Sequence, residues 1–175
     1  QAQAQTAAPV PLAAPTTRTD YLAWSVAPAA IGIAEVTWEH RLWGPYAVQV
    51  LAAVGRGTDV WVSPHLANGI APLLDRWMVQ VGGQARRYLV GRFDRGLWLG
   101  PDLRLLHLYA GDQPVTAGAV GARAGGKWRL WSGWTVESSA GYGIVVTSLV
   151  QRGTNQRLYH TSGQRTVQVL LGWQW

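Results

Sequence analysis

The sequence predicts an all-β fold in which eight antiparallel strands close up-and-down into a barrel behind a disordered N-terminal arm. Three observations predict it. From residue 21 onward the chain breaks into segments of about ten residues in which side chains alternate with period two, as in strands with two unlike faces. The connections between these segments alternate between short turns and longer polar stretches. The last ten residues, TVQVLLGWQW, alternate strictly, with Val167, Val169, Leu171, Trp173 and Trp175 on one parity.

Residues 1–20, rich in Ala, Pro, Gln and Thr and without periodicity, read as a flexible arm, and residues 21–175 as the barrel. The Ala-Gln-Ala pattern of the arm resembles the region around a signal-peptidase site. Strand one, from about Tyr21 to Ile31, sets Leu22, Trp24 and Val26 against Tyr21, Ala23 and Ser25, and Pro28 weakens it. Strand two, IAEVTWEHRL, divides most sharply: Val36, Trp38, His40 and Leu42 oppose Glu35, Thr37, Glu39 and Arg41.

The turn WGPY leads to strand three, with Val48, Val50, Ala52 and Val54 on one side and Ala47, Gln49, Leu51 and Ala53 on the other. A long loop, Gly55 to Asp75, follows. Strand four, Trp77 to about Tyr88, sets Val79, Val81, Gly83 and Ala85 against Gln80, Gly82, Gln84 and Arg86, and ends in the short turn VGRFDRG. Strand five opposes Leu97, Leu99, Leu103 and Leu105 to Trp98, Gly100, Asp102 and Arg104, with a bulge or kink expected at Pro101.

Strand six, VTAGAVGARAGG, is built of small residues that leave its register open, and a Gly-Gly-Lys turn ends it. Strand seven sets Trp134, Val136, Ala140, Tyr142 and Ile144 against Thr135, Glu137, Ser139, Gly141 and Gly143. A polar connection, about Val146 to Arg165, precedes the terminal strand.

Composition says where such a barrel belongs. Charged residues are 14% of the chain, well below the roughly 25% of an ordinary soluble protein. Eleven tryptophans accompany a single phenylalanine, and Trp suits a boundary between hydrocarbon and water. No apolar run reaches the roughly 18 residues of a membrane helix, so a bilayer crossing would use strands of about ten residues, the length found here.

The fold expected is therefore a transmembrane β-barrel. Short turns after even-numbered strands and long loops after strands three and seven match the asymmetry of outer-membrane barrels. Tyr21, Trp43, Tyr46, Tyr88, Phe93, Trp128, Trp131, Trp173 and Trp175 fall near the termini and short turns, where they are expected to form a membrane-interface ring. Trp61, Trp77, Tyr109 and Tyr142 would form a thinner set at the other boundary.

The opposite parity collects Glu35, Glu39, Arg41, Arg86, Asp102, Arg104 and Glu137, with Arg123 a further candidate. Their near-zero sum, with Gln49, Gln80, Gln84 and Gln168 as neighbours, suits ion pairs filling an eight-strand lumen, which is just wide enough for side chains. A plugged polar interior without an open pore is expected, and Glu35 and Glu39 read as structural charges, not acid/base machinery.

The terminal strand with its aromatic last residue, the eight segments and the turn-loop asymmetry resemble the small eight-stranded outer-membrane β-barrel proteins of the OmpX and OmpA membrane-domain type. The resemblance covers about residues 21 to 175, and its most specific piece is VQVLLGWQW, similar to the C-terminal signal such proteins present to the barrel-assembly machinery. That signal normally ends in Phe; here it ends in Trp175. The resemblance implies location in a Gram-negative outer membrane and contact with outer-membrane lipids, lipopolysaccharide among them. It also implies folding by that machinery, and it brings no catalytic residue, cofactor or metal site.

The leading functional expectation is a structural or interaction role through the external loops, with other envelope proteins as candidate partners. Arg56, Arg76, Arg152, Arg157 and Arg165 lie in or near those loops, where they could meet lipopolysaccharide phosphates. Two alternatives remain. A lipid A-modifying barrel enzyme could use His160 and Ser162 of HTSG, although no acidic residue follows Glu137 to complete a triad. A soluble lipocalin-like carrier would turn the apolar parity inward. The net charge of +6 comes without a basic cluster denser than Arg86 and Arg87, which argues against nucleic acid. His40, His65 and His107 lack metal-ligand spacing.

Overall fold

The computed structural model describes residues 18–26, 33–57, 76–109, 115–150 and 157–175. Of the long loop expected over Gly55 to Asp75, residues 55–57 are strand instead, and residues 58–75, Trp61 among them, lie outside the described residues with most of the N-terminal arm. Eight strands follow in chain order: β1 (Asp20–Ser25), β2 (Ile33–Arg41), β3 (Tyr46–Gly57), β4 (Arg76–Arg92), β5 (Arg95–Tyr109), β6 (Val115–Arg129), β7 (Trp134–Val150) and β8 (Arg157–Gln174). Each pairs antiparallel with its sequence neighbours, and β1 pairs with β8, so the sheet closes on itself. Closure leaves each pleated strand one face in the lumen and one outside.

The alternation in the sequence becomes these two faces. In β8, Gln168, Leu170, Gly172 and Gln174 are buried while Val167, Val169, Leu171 and Trp173 are exposed. In β4 the buried set is Met78, Gln80, Gln84, Arg86 and Tyr88, against exposed Trp77, Val79, Val81 and Arg87. The open register of β6 is settled by its pairing with β7: Lys127 lies opposite Glu137, and Arg123 and Lys127 point inward while Val120, Ala122 and Ala124 point out.

Two short turns share a construction. Arg41-Leu42-Trp43-Gly44-Pro45-Tyr46 and Arg129-Leu130-Trp131-Ser132-Gly133-Trp134 carry matching bonds, Leu42 N–H to Tyr46 O (3.0 Å) and Leu130 N–H to Trp134 O (2.8 Å). Tyr46 N–H to Trp43 O (2.9 Å) is repeated by Trp134 N–H to Trp131 O (2.8 Å). Both turns need left-handed backbone, at Gly44 (φ 50°) in one and at Ser132 (φ 47°) and Gly133 (φ 98°) in the other.

Four sequence expectations are corrected. Lys127 sits within β6, and the turn follows at 130–133, because Lys127 has buried carboxylates to reach. Pro101 makes no bulge, since it stays in step with Ala122 and the register shift falls between Tyr88 and Val90, but the β4–β5 pairing is interrupted beside it, between Gln84–Asp102 and Arg87–Leu99. The polar connection from Val146 to Arg165 is largely strand, since β7 runs to Val150 and β8 begins at Arg157. Asp20, assigned to the arm, opens β1.

Candidate functional site

The lumen is where the chain concentrates its chemistry, and the register of the strands builds it. Tyr21 lies opposite Glu39, Glu39 opposite Gln49, Gln49 opposite Gln84 and Gln84 opposite Asp102, so one belt of polar side chains converges on the axis. Its charges form two groups, each with two cations and two anions.

Arg86, Lys127, Glu39 and Glu137 make the group nearer the short turns. The Arg86 guanidinium bonds to Glu39 Oε2 (2.8 Å), to both Glu137 oxygens (2.7 and 3.0 Å), to Gln49 Oε1 (2.8 Å) and to Gln84 Oε1. Five N–H groups thus meet five acceptors, the full capacity of an arginine, which a lysine could not match. The flat face left over lies 3.9 Å from the centroid of the Trp98 ring.

Lys127 bonds to Glu39 and is boxed by aromatic rings, with its ammonium 4.1 Å from the Tyr21 centroid, 4.5 Å from Phe93 and 5.6 Å from Tyr88. The Tyr88 hydroxyl donates to Glu39 Oε1 at 2.8 Å. Glycine makes room for this aromatic lining: a Cβ on Gly125 would stand 2.6 Å from the Trp98 ring, and one on Gly172 would stand 2.6 Å from the Tyr21 ring.

Glu35, Asp102, Arg104 and Arg123 make the second group. Arg104 pairs with Asp102 at 3.0 Å and with Glu35 at 4.0 Å, and Arg123 pairs with Asp102 at 3.3 Å. Gln168 joins the halves, accepting from Arg123 and donating to Glu35. Burying eight charges is tolerable only because each group is neutral and its carboxylates and cations pair with one another.

The structure redistributes the predicted site residues. Glu35, Glu39, Arg86, Arg104 and Glu137 are buried in the lumen, with Asp102 half-buried beside them, but Arg41 is half-buried at the barrel mouth, outside the ion-paired groups. Of the nine aromatics expected in an outer ring, Trp43, Tyr46, Trp128, Trp131, Trp173 and Trp175 are exposed at the short-turn end.

Tyr21, Tyr88 and Phe93 are not part of that ring. They are buried inside and line the Lys127 box. They lie near the short turns but face inward: Tyr21 shares parity with Ala23, and Tyr88 with Arg86. The lumen is also less uniformly polar than expected. Ile33, Ala53, Met78, Leu108 and Val115 form an apolar cluster at the end opposite the short turns.

Lys127 is the residue that sequence reasoning missed. The signal was its uniqueness as the chain's one lysine, placed directly before the Trp128 that faces out.

His160 and Ser162 stand two residues apart on the inward parity of β8, opposite Thr147 and Val145. Among the described residues, no hydrogen bond joins the pair or links either to a carboxylate, and no group of His, Asp and Glu side chains is placed to hold a metal ion. Comparison with protein-family models, curated proteins and solved structures gives no match for this chain.

Proposed function

We propose that the protein is an integral outer-membrane β-barrel with a closed lumen, acting as a structural or interaction element of the cell envelope. The observation that carries this reading is the outer face. On β5, Leu97, Leu99, Leu103 and Leu105 are all exposed before His107, and on β3 Val48, Val50, Ala52 and Val54 face out before Arg56. Val81, Val120, Val167 and Leu171 continue the band around the wall.

Such a band spans about nine residues of tilted strand, the length that crosses a hydrocarbon layer of about 25 Å in bacterial barrels. In water, an apolar surface of this extent would be an association hazard. A soluble carrier needs the reverse arrangement, an apolar lumen able to take a ligand, whereas here the middle of the lumen is occupied by eight interlocked charges. Orientation follows from the short turns, which share one end with the start of β1 and the end of β8 and would face the periplasm. The strand ends at the other side would then carry the interaction surface, with lipopolysaccharide and neighbouring envelope proteins as its partners.

The test is partition. Refolded protein is expected to float with liposomes, to resist carbonate extraction, and to migrate differently on gels before and after boiling. A chain that stays in buffer without detergent contradicts the reading. In planar bilayers the plugged lumen predicts no steady conductance, and a stable ohmic channel would contradict closure.

A further inference from the structure

At the barrel mouth between the short turns lies a half-open cleft of about 390 Å3, within the size range of small-ligand sites. Gly44 and Pro45 of the β2–β3 turn and Gly91 and Arg92 at the end of β4 wall it, Arg41 at the end of β2 stands at its side, and Tyr88 and Phe93 line it. The β2–β3 turn is tied to β4, since the Tyr88 amide donates to the Pro45 carbonyl at 2.8 Å. Gly91 has φ +84°, and a Cβ there would stand 2.4 Å from the Arg95 carbonyl oxygen, so the end of β4 passes the cleft as bare backbone.

The charges here differ from those deeper in. The chain has fifteen Lys and Arg against nine Asp and Glu. The two lumen groups use four of each and cancel, so the whole +6 lies elsewhere. The short-turn end holds Arg18, Arg41, Arg87, Arg92, Arg95 and Arg129 against Asp20 and Asp94, six minus two, a net +4. Asp94 faces Arg129 at 3.7 Å and Asp20 bonds to His40 at 3.0 Å. Arg41 and Arg92 have no acidic partner among the described residues. Two guanidiniums at one cleft suit a doubly charged oxyanion better than a singly charged one, and their planar donor forks match phosphate geometry.

We propose that this mouth is a binding site for a phosphate monoester dianion, held by Arg41 and Arg92 with its organic part against Tyr88 and Phe93. The site does not depend on the membrane reading, because it opens at the end of the barrel and not through its wall.

The experiment titrates the full chain, folded in detergent micelles at pH 8 and fixed ionic strength, with phenyl phosphate and separately with benzoate. The amide resonances of Gly44, Gly91 and Arg92 report binding. Expected are saturable shifts confined to the two turns, weaker binding of benzoate, and a loss of affinity of about tenfold or more in Arg92→Gln, whose exposed side chain leaves the fold intact. Arg41→Gln, with an unchanged spectrum for residues of β6 and β7 as the check on folding, is expected to weaken binding similarly. Shifts that never saturate, equal affinity for benzoate, or wild-type affinity in both variants would overturn the assignment.

Discussion

Arg86 and Arg92 lie six residues apart on the same strand and live in opposite circumstances. Arg86 is buried with five acceptors and an aromatic ring around it, and Arg92 is exposed with no acid beside it. The difference teaches how this barrel separates two uses of charge. In the lumen, opposite charges neutralise one another and fill space; at the short-turn rim, surplus positive charge is left for whatever approaches.

The largest way to break that contrast is to remove the hub. Arg86→Met would leave Glu39 and Glu137 buried with only Lys127 between them, and a loss of about 3–5 kcal/mol is expected for breaking such a buried network. Urea unfolding in lipid vesicles measures it. Arg86→Lys should recover only part of the loss, because three donors replace five. An effect within experimental error for Arg86→Met would mean the network is ornamental.

Putting charge on the other face sharpens the comparison. Val50→Arg adds a cation in mid-band on the outer wall, and about 2–4 kcal/mol of destabilisation is expected at a bilayer midplane. In detergent, where the side chain can reach water, the cost should shrink. Equal cost in both settings would argue that Val50 does not face lipid.

Gly125→Ala tests the fit of the lumen lining. Its methyl would press on the Trp98 ring and on the Ser138 carbonyl oxygen at 2.7 Å, and overpacking of this kind costs about 1–3 kcal/mol. Loss of the near-ultraviolet circular dichroism of the buried Trp98 would accompany it. At the small end, Arg95→Gln on the exposed rim should change stability by no more than about 0.5 kcal/mol.

Most of the fold could be read in the sequence because period two maps directly onto inside and outside. In β2, β3, β7 and β8 the parities assigned from residue type alone coincide with the buried and exposed sets. β6 could not be read, since Gly and Ala fit either face; its facing is fixed by the buried Arg123 and Lys127, the latter opposite Glu137. Tyr21, Tyr88 and Phe93 depart from the expected ring because parity, not position along the strand, decides which way a side chain faces.

Phe93 has no parity to read. It lies in a turn where alternation ends, and it folds back toward Tyr88, ring to ring at 6.0 Å. The repeated Arg-Leu-Trp before two turns was present in the sequence and marks their shared construction. The cleft was not legible there, because it forms between turns far apart in the chain.

The measurement closest to the central claim uses the chain's freedom from cysteine. Single cysteines placed in turn from Val48 to Val54 on β3, spin-labelled in liposomes, report collision with lipid-soluble oxygen and with a water-soluble nickel chelate. Oxygen access is predicted to peak at Val48, Val50, Ala52 and Val54 and to fall at Gln49, Leu51 and Ala53, with the chelate excluded across the band. Uniform access along the strand, or chelate collision at Val50, would contradict a wall whose oily face meets lipid and whose charges are enclosed.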